Sequence, residues 1–407
     1  MTPSSAAPLR QGLVLLMAVA CGLAVAGNYY AQPLLQTLAD AFGLGVRQAG
    51  AVVTTAQLAY AAGLLLLVPL GDRFERRTLI VSLYLLSAVG LLVCALSSGF
   101  AMFLFGTMLA GLCSVGAQLL VPFAATLAAP QARGRVIGTV MSGLLLGILL
   151  ARTVSGLLAG IGGWHAVYWV AFAAMLVVTG LLWRGLPRAP GNPALRYGPL
   201  IVSVLALLRQ QPVVRSRALL GGLTFAGFSV FWTTLAFLLS GPGYGYGTQA
   251  IGLFGLIGAA GALAANLSGK LVDRGLGRRV IWGSLAMLLG AWLLMLAGAH
   301  SLAALIVGVL LLDVAVQAVH IANQGVIYAL DPAARNRITS AYMTCYFIGG
   351  AAGSWLGSAA YAFAGWNGVV GVGALLAVLA LGCVVYERSS RRRGADVSDR
   401  GVVPASR

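Results

Sequence analysis

Long apolar runs, each ended by a short stretch of glycine, proline, serine or charge, fill the chain from residue 12 to residue 386. They centre on 12–38, 48–70, 78–97, 100–128, 136–161, 165–186, 216–240, 248–272, 280–298, 301–329, 338–363 and 366–386. A helix needs roughly 20 residues to cross about 30 Å of hydrocarbon, and each run approaches or exceeds that length. Backbone in hydrocarbon must satisfy its own hydrogen bonds, and the strict alternation of a barrel strand is absent, so helices are expected throughout. The pattern predicts an all-α integral membrane protein with twelve transmembrane helices.

Composition sharpens that picture. Of 407 residues, 60% are hydrophobic and only 9% charged, against about 25% charged in soluble domains. A soluble enzyme, a nucleic-acid binder and a disordered chain are excluded as readings. The net charge of +17 would ordinarily suggest an acidic partner. Here all but two of the 26 basic residues fall in loops that alternate with loops lacking them. The exceptions are Arg47, in the first loop of the opposite side, and Arg152, inside a run. By the positive-inside rule both termini are expected in the cytoplasm. The first run also has the look of a signal peptide, but removing it would break the charge alternation. Five scattered cysteines, all within apolar runs, read as packing residues, and no metal or cofactor spacing occurs. Nearly all basic residues being Arg, with abundant Ala and Gly, points to a GC-rich bacterial genome and hence to a bacterial inner membrane.

The chain repeats itself. Pro130, Arg133 and Arg135 recur 202 residues later as Pro332, Arg335 and Arg337, and Gly163-Trp164 recurs as Gly365-Trp366. Asp72, Arg73, Arg76 and Arg77 follow the second run; Asp273, Arg274, Arg278 and Arg279 follow the eighth. The expected organisation is a cytoplasmic segment 1–11, a six-helix bundle 12–186, a proline- and arginine-rich linker 187–215, a second six-helix bundle 216–386 and a basic tail 387–407, whose Arg391-Arg392-Arg393 run suits anionic lipid.

A 6+6 layout with Asp72-Arg73 and Arg76-Arg77 between the second and third helices resembles the major facilitator superfamily. Asn28-Tyr29-Tyr30-Ala31-Gln32-Pro33 in helix 1, Gly143 to Gly147 through Arg152-Thr153 in helix 5, and Asn323 through Gly350 are similar to its twelve-helix bacterial efflux branch of drug, sugar and nucleoside exporters. The resemblance implies two parallel repeats rocking about a midplane site. It also implies that the two Asp/Arg clusters latch a cytoplasmic gate, beside their role as positive-inside anchors. Within it the chain carries Val68 and Glu75 where the family's loop signature has glycine, and Ala151-Arg152 where its helix-5 element has Gly-Pro.

A charge at mid-membrane costs at least ~2.5–3.5 kcal/mol on insertion scales, so it is a functional candidate by default. Arg152 in helix 5 and Asp313 in helix 10 both lie about 25 Å from the cytoplasmic surface at 1.5 Å per residue. Asp313, Gln317, His320 and Gln324 share one helical face, with Asn323 beside it. These polar groups line either a wet cavity or a buried interhelical seam. Asp313 and His320 are candidate proton carriers, and an Arg152–Asp313 pair across the halves would open on protonation. Candidate substrate contacts are Asn28, Tyr29, Gln32, Gln57, Tyr60, Gln118, Trp232, Gln317, Asn323, Gln324, Tyr342 and Tyr346, a set of amides and aromatics suited to a polar or amphipathic small molecule.

The expected activity is export of such a molecule in exchange for protons, by a monomer, with import, proton symport or uncoupled diffusion as alternatives. No nucleotide loop is present. A membrane-embedded enzyme would need convergent nucleophiles or histidines, and His165, His300 and His320 are dispersed. A channel suits the repeat and its paired gate clusters less well than alternating access.

Overall fold

The computed structural model describes residues 10–330 and 335–400, without the side chains of 259–260, 262–267, 335–336 and 388–400. Residues 1–9, the tail beyond 400, the side chains of Arg391–Arg393, and Pro332 and the Arg335 side chain of the repeat therefore lie outside the described residues.

Among those residues every regular element is helical. The first bundle comprises α1 (Gln11–Ala26), a 3-10 turn at Gln32–Leu34, α2 (Leu35–Phe42), α3 (Val46–Leu66), α4 (Leu70–Arg73), α5 (Arg76–Ala95), α6 (Phe100–Cys113), α7 (Gly116–Leu127) and α8 (Arg133–Gly185). A linker helix, α9 (Tyr197–Gln210), precedes the second bundle of α10 (Pro212–Ser240), α11 (Thr248–Leu271), α12 (Gly277–Ala297), α13 (Leu302–Tyr328) and α14 (Arg335–Arg400). Eight described helices are long and apolar enough to cross a membrane. Two of them, within α8 and α14, carry apolar stretches of 53 and 51 residues. Each of the two bends where a glycine takes a left-handed conformation: Gly163 at φ 73° and Gly365 at φ 59°. These are the glycines that stand 202 apart in the repeat, so one tight corner is built twice.

The molecule's outer surface is oily. Leu15, Phe105, Val177 and Phe363 are exposed, the last at 94%, while Asn28, Gln32, Gln57, Arg152, Asp313 and Asn323 are buried. That distribution suits hydrocarbon as the solvent, in which lipid tails are as apolar as leucine and packing, rather than water exclusion, must hold helices together. Glycine supplies the close approach. A Cβ on Gly147 of α8 would run into the backbone of Gly22 on α1. A Cβ on Gly349 of α14 would run into Gly222 on α10. Gly147 and Gly349 are again 202 apart, so the two bundles close by the same glycine contact.

Hydrogen bonds between the bundles gather at one end and at mid-depth. Thr37 Oγ1 meets Thr248 Oγ1 at 3.1 Å, Thr153 Oγ1 donates to the Gly252 carbonyl at 3.0 Å, and Ser354 Oγ donates to the Gly50 carbonyl at 3.3 Å. Deeper in, Gln57 Nε2 donates to Ser229 Oγ at 3.1 Å. At the other end, a cavity of about 80 Å³ lies among Asp72, Arg76, Leu119, Leu200, Arg337 and Ser340.

The linker is more ordered than a polar break. Besides α9, its start is tied to the loop before α5. Glu75 caps α5, accepting from the amides of Arg77 (3.0 Å) and Thr78 (2.8 Å), and also accepts from the Ala189 amide at 2.9 Å. The Arg76 amide returns a bond to the Ala189 carbonyl, and the Asn192 amide donates to the Asp72 carbonyl. Partial burial works to raise the Glu75 carboxyl, but the bonds from Thr78, Ala189 and Arg77 overcome it and hold the group down to about 2.

Two outcomes are expected. Gly147→Val and Gly349→Val should each lower thermal stability in detergent, overpacking costing about 1–3 kcal/mol, while Gly180→Val, with open space around its Cβ, should not. Because the folded pKa of Glu75 is depressed, its contribution is present above the unfolded carboxyl value of about 4.3 and is lost as pH falls toward about 2. At neutral pH Glu75→Gln should therefore speed tryptic cleavage after Arg188, read as the rate of chain scission.

Candidate functional site

Helix 1 breaks where the sequence requires it. Pro33 has no amide hydrogen and disfavours helical geometry in the residue before it. The chain passes from α1 through turns at Gly27–Ala31 into the short 3-10 element. A carbonyl freed by this break, that of Tyr30, accepts from Ser155 Oγ at 2.7 Å. The break turns Asn28, Tyr29 and Gln32 inward, all three buried. Asn28 Nδ2 donates to Ser114 Oγ at 3.1 Å, and Gln32 Oε1 accepts from Arg152 Nε at 2.6 Å.

Arg152 is 3% exposed. Its guanidinium carbon lies 4.0 Å from the Trp232 ring centre, 4.7 Å from that of Tyr29 and 5.5 Å from that of Phe228. Such faces attract a desolvated cation by about 2 kcal/mol or more. Trp232 then extends the chain of contacts: its Nε1 donates to Asp313 Oδ1 at 3.2 Å. No direct Arg152–Asp313 ion pair forms among the described residues; the indole mediates between them. The sequence expectation of a direct pair is corrected to that extent. The cation belongs to the first bundle, the indole and the carboxylate to the second.

Asp313 fits because α11 lacks side chains opposite it. A Cβ on Gly258 would strike Asp313 Oδ2, and one on Gly261 would come within 2.8 Å of Asp313 Cβ. The rest of the polar stripe on α13 divides. His320 Nδ1 bonds the Tyr342 hydroxyl at 2.9 Å, and its ring lies 4.8 Å from that of Tyr346. Tyr346 stacks on Phe225 with centres 4.0 Å apart. Gln317 and Gln324 are half-buried on that face. Asn323 Nδ2 donates to the Arg217 carbonyl at 3.4 Å, and its side chain also reaches the Tyr342 hydroxyl. In the first bundle, Gln118 Nε2 donates to the Tyr60 hydroxyl at 3.0 Å, and the Tyr60 ring lies 4.3 Å from that of Phe347.

The two loop clusters are not brought together. Asp72 and Asp273 are exposed, and no ion pair joins Asp72, Arg73, Arg76 or Arg77 to Asp273, Arg274, Arg278 or Arg279 among the described residues. Arg77 instead lies over the Trp183 ring at 4.7 Å, and Arg76 Nε donates to the Gly71 carbonyl. The ion pair that does form among the described residues, Arg217 of α10 with Glu387 of α14 at 2.7 Å, joins the start of the second bundle to the first residue of the expected tail.

Sequence reasoning missed Ser155, Ser229 and Phe228. Phe228 was findable, since it precedes Trp232 by four residues and so shares its face. Several buried polar atoms at the site have no partner: Arg152 Nη2, Gln32 Nε2, Asn28 Oδ1 and Gln57 Oε1. Buried polar groups are rarely left so, and a donor or acceptor held in this way is what a site offers a ligand.

The Major Facilitator Superfamily model matches residues 17–327 of this chain. A putative uncharacterized transporter of Escherichia coli (strain K12), YgaY, is 54% identical over 387 residues, covering 95% of this chain and 98% of its own. A probable transporter of Streptomyces coelicolor is 35% identical over 368 residues, 89% of this chain and 85% of its own. Among solved structures, a bacterial homologue of the human lysosomal transporter Spinster, inward-facing and occupied, matches with a TM-score of 0.75 at 16% identity, covering 95% and 97% of the two chains. That last likeness is one of fold.

The indole bridge makes a prediction. Trp232→Phe keeps a ring beneath Arg152 but removes the donor to Asp313, which should destabilise the protein by about 1–3 kcal/mol, as for a buried acceptor left unpaired. Asp313→Asn made in that background should then cost less than in the wild type, giving a non-additive double-mutant cycle in thermal stability.

Proposed function

The chain belongs to the Major Facilitator Superfamily and is a multi-pass membrane transporter, and from that premise we propose that it is a proton-linked secondary carrier of a small molecule. It acts as a monomer in a bacterial inner membrane, with twelve crossings and both termini in the cytoplasm. The observation that carries the reading is the contact sequence Gln32–Arg152–Trp232–Asp313, which runs from one bundle to the other. Fixed charge in an apolar bundle is retained where it does work, and these two charges lie on opposite sides of the surface along which alternating access must move.

In this mechanism the charge of Asp313 sets how strongly the bundles hold each other. The ionised carboxylate draws the indole N–H and, through it, the cation-bearing face of α8. Protonation removes that attraction, so the two arrangements of the bundles gain different free energies from the same proton, as population shift requires. The bonds at Thr37–Thr248, Thr153–Gly252 and Ser354–Gly50 support a state closed toward the side that lacks basic loops. Asp72 and Asp273, unlatched here, belong to the gate that closes in the opposite state.

The sign of coupling follows from substrate charge. Exchange against protons, the sequence expectation, requires substrate and proton to compete for Asp313. Movement with the proton requires a substrate that takes over the cation that Asp313 gives up.

Purified protein in liposomes that contain a pH dye tests the carrier. A substrate gradient should move protons in the wild type, and Asp313→Asn should abolish that flux while leaving substrate counterflow. Substrate movement without proton flux, unchanged by Asp313→Asn, would leave an uncoupled facilitator with a structural aspartate.

A further inference from the structure

We propose that the substrate is a small organic monoanion, a carboxylate attached to a flat apolar group, received by Arg152 Nη2 and Gln32 Nε2. The inference rests on the carrier reading above and names the substrate class of that same site.

The unpartnered atoms decide the polarity of the ligand. Arginine carries five N–H donors and no acceptor. Here Nε is spent on Gln32 Oε1, and Nη2, on the same edge of the guanidinium, is buried without a partner. Gln32 in turn has committed its oxygen, so its Nε2 is a buried donor without a partner. The two orphans flank a single 2.6 Å bond. A cradle of two donors, one of them charged, is complementary to a pair of acceptor oxygens, the arrangement that makes arginine–carboxylate pairs strong. At this Arg152–Gln32 pair an ammonium ligand would meet the guanidinium charge and two donors, and a neutral amide would offer one acceptor for two donors; the orphan acceptors Asn28 Oδ1 and Gln57 Oε1 belong to other residues of the site.

The walls decide the shape. Tyr29, Phe228 and Trp232 present ring faces to the guanidinium, and Leu235, Ala236 and Ile251 continue an apolar surface beyond Gln32 and Pro33. The space among Gln32, Pro33, Arg152 and Trp232 is about 10 Å³, room for no more than a single water. A flat group therefore enters when the bundles part and is enclosed when they return, displacing aromatic faces with one of its own.

Such a ligand carries a proton with it. Asp313 is faced by Arg152 from α8, Trp232 from α10 and Tyr346 from α14, with Tyr29 on the far side of the cation. Arg152 is the cation facing the site. An anion that takes its charge leaves two negative groups around one positive group in a dry pocket, and a proton on Asp313 restores the balance. Substrate and proton then cross together, the reverse of the exchange expected from sequence.

Three probes with one ring and different charge test this on the purified full chain: 3-phenylpropionate, 3-phenylpropionamide and 2-phenylethylamine. Affinity is read by calorimetry, and proton uptake by a dye in weak buffer. The carboxylate should bind at least about tenfold more tightly than the amide, the loss expected for a missing charge-assisted bond, take up about one proton, and outcompete the amine entirely. Gln32→Glu supplies an internal carboxylate to Arg152 without opening a cavity. It should keep thermal stability and weaken carboxylate binding at least about tenfold. Arg152→Gln should do the same if it folds. Equal binding of amide or amine, carboxylate binding that Gln32→Glu leaves unchanged, or no binding of any probe would overturn the anion. Counterflow in liposomes separates this from the carrier reading: amine exchanged against protons would sink the anion and keep the carrier, whereas carboxylate bound through Arg152 but never exchanged would keep the site and sink the carrier.

Discussion

A cation and an anion taken out of water into one apolar bundle must be compensated within a few ångströms, and that requirement organises the centre of this protein. Each charge alone costs several kcal/mol in the interior. A direct ion pair would answer the cost but would also fasten the two bundles together. The structure uses a longer path. Arg152 is met by an amide oxygen and three aromatic faces, and Asp313 by an indole N–H. Trp232 serves both, through its face and through its edge. The two charges influence one another while each keeps a partner of its own, so either can change state without leaving an orphaned ion.

The repeat builds the frame, and departures from the repeat build the site. At the 202 offset, Arg152 corresponds to Ser354 and Asp313 to Gly111. Ser354 bonds the Gly50 carbonyl, and Gly111 lets α6 close on Ala56 of α3. Neither equivalent carries a charge: one is a hydroxyl bond between the bundles and the other a close backbone packing contact. The glycine pairs Gly22–Gly147 and Gly222–Gly349 hold the same relation in each bundle. On the spacing of those pairs, 200 in α1 and α10, Gln32 is the counterpart of Trp232. The two residues that flank Arg152 thus come from matching positions of the two repeats, Gln32 in the 3-10 turn beyond α1 as a hydrogen-bond acceptor and Trp232 within α10 as a ring. Chemistry is confined to the places where the two halves differ.

Much of this was legible in the sequence because hydrocarbon leaves few alternatives. Run length and the repeated Gly163-Trp164 and Gly365-Trp366 corners follow from bilayer thickness and backbone satisfaction. Arg152 and Asp313 stood out for the same reason: charges in such runs are conspicuous. What joins them did not. Trp232 carries no mark in sequence that it would bridge two charges, and Ser155 and Ser229 look like any helix serine until a carbonyl or amide is set opposite. The linker helix α9 was hidden by its prolines and arginines, which signal a break and say nothing of the strap between Glu75 and Ala189. Asn323, beside the polar stripe in the helical pattern, faces the Arg217 carbonyl because the face it occupies packs on α10.

The central claim is that Asp313 is a carboxyl that gains and loses a proton within the bundle. Infrared difference spectra of the purified protein, stepped between alkaline and acid buffer, observe that event at the group itself. Expected is a protonated-carboxyl band at the frequency of an apolar setting, present in the wild type, altered when Trp232→Phe removes its hydrogen bond, and missing from Asp313→Asn. The same band in Asp313→Asn, or no such band in the wild type, would contradict the claim and leave Arg152, Trp232 and Asp313 as a fixed structural contact.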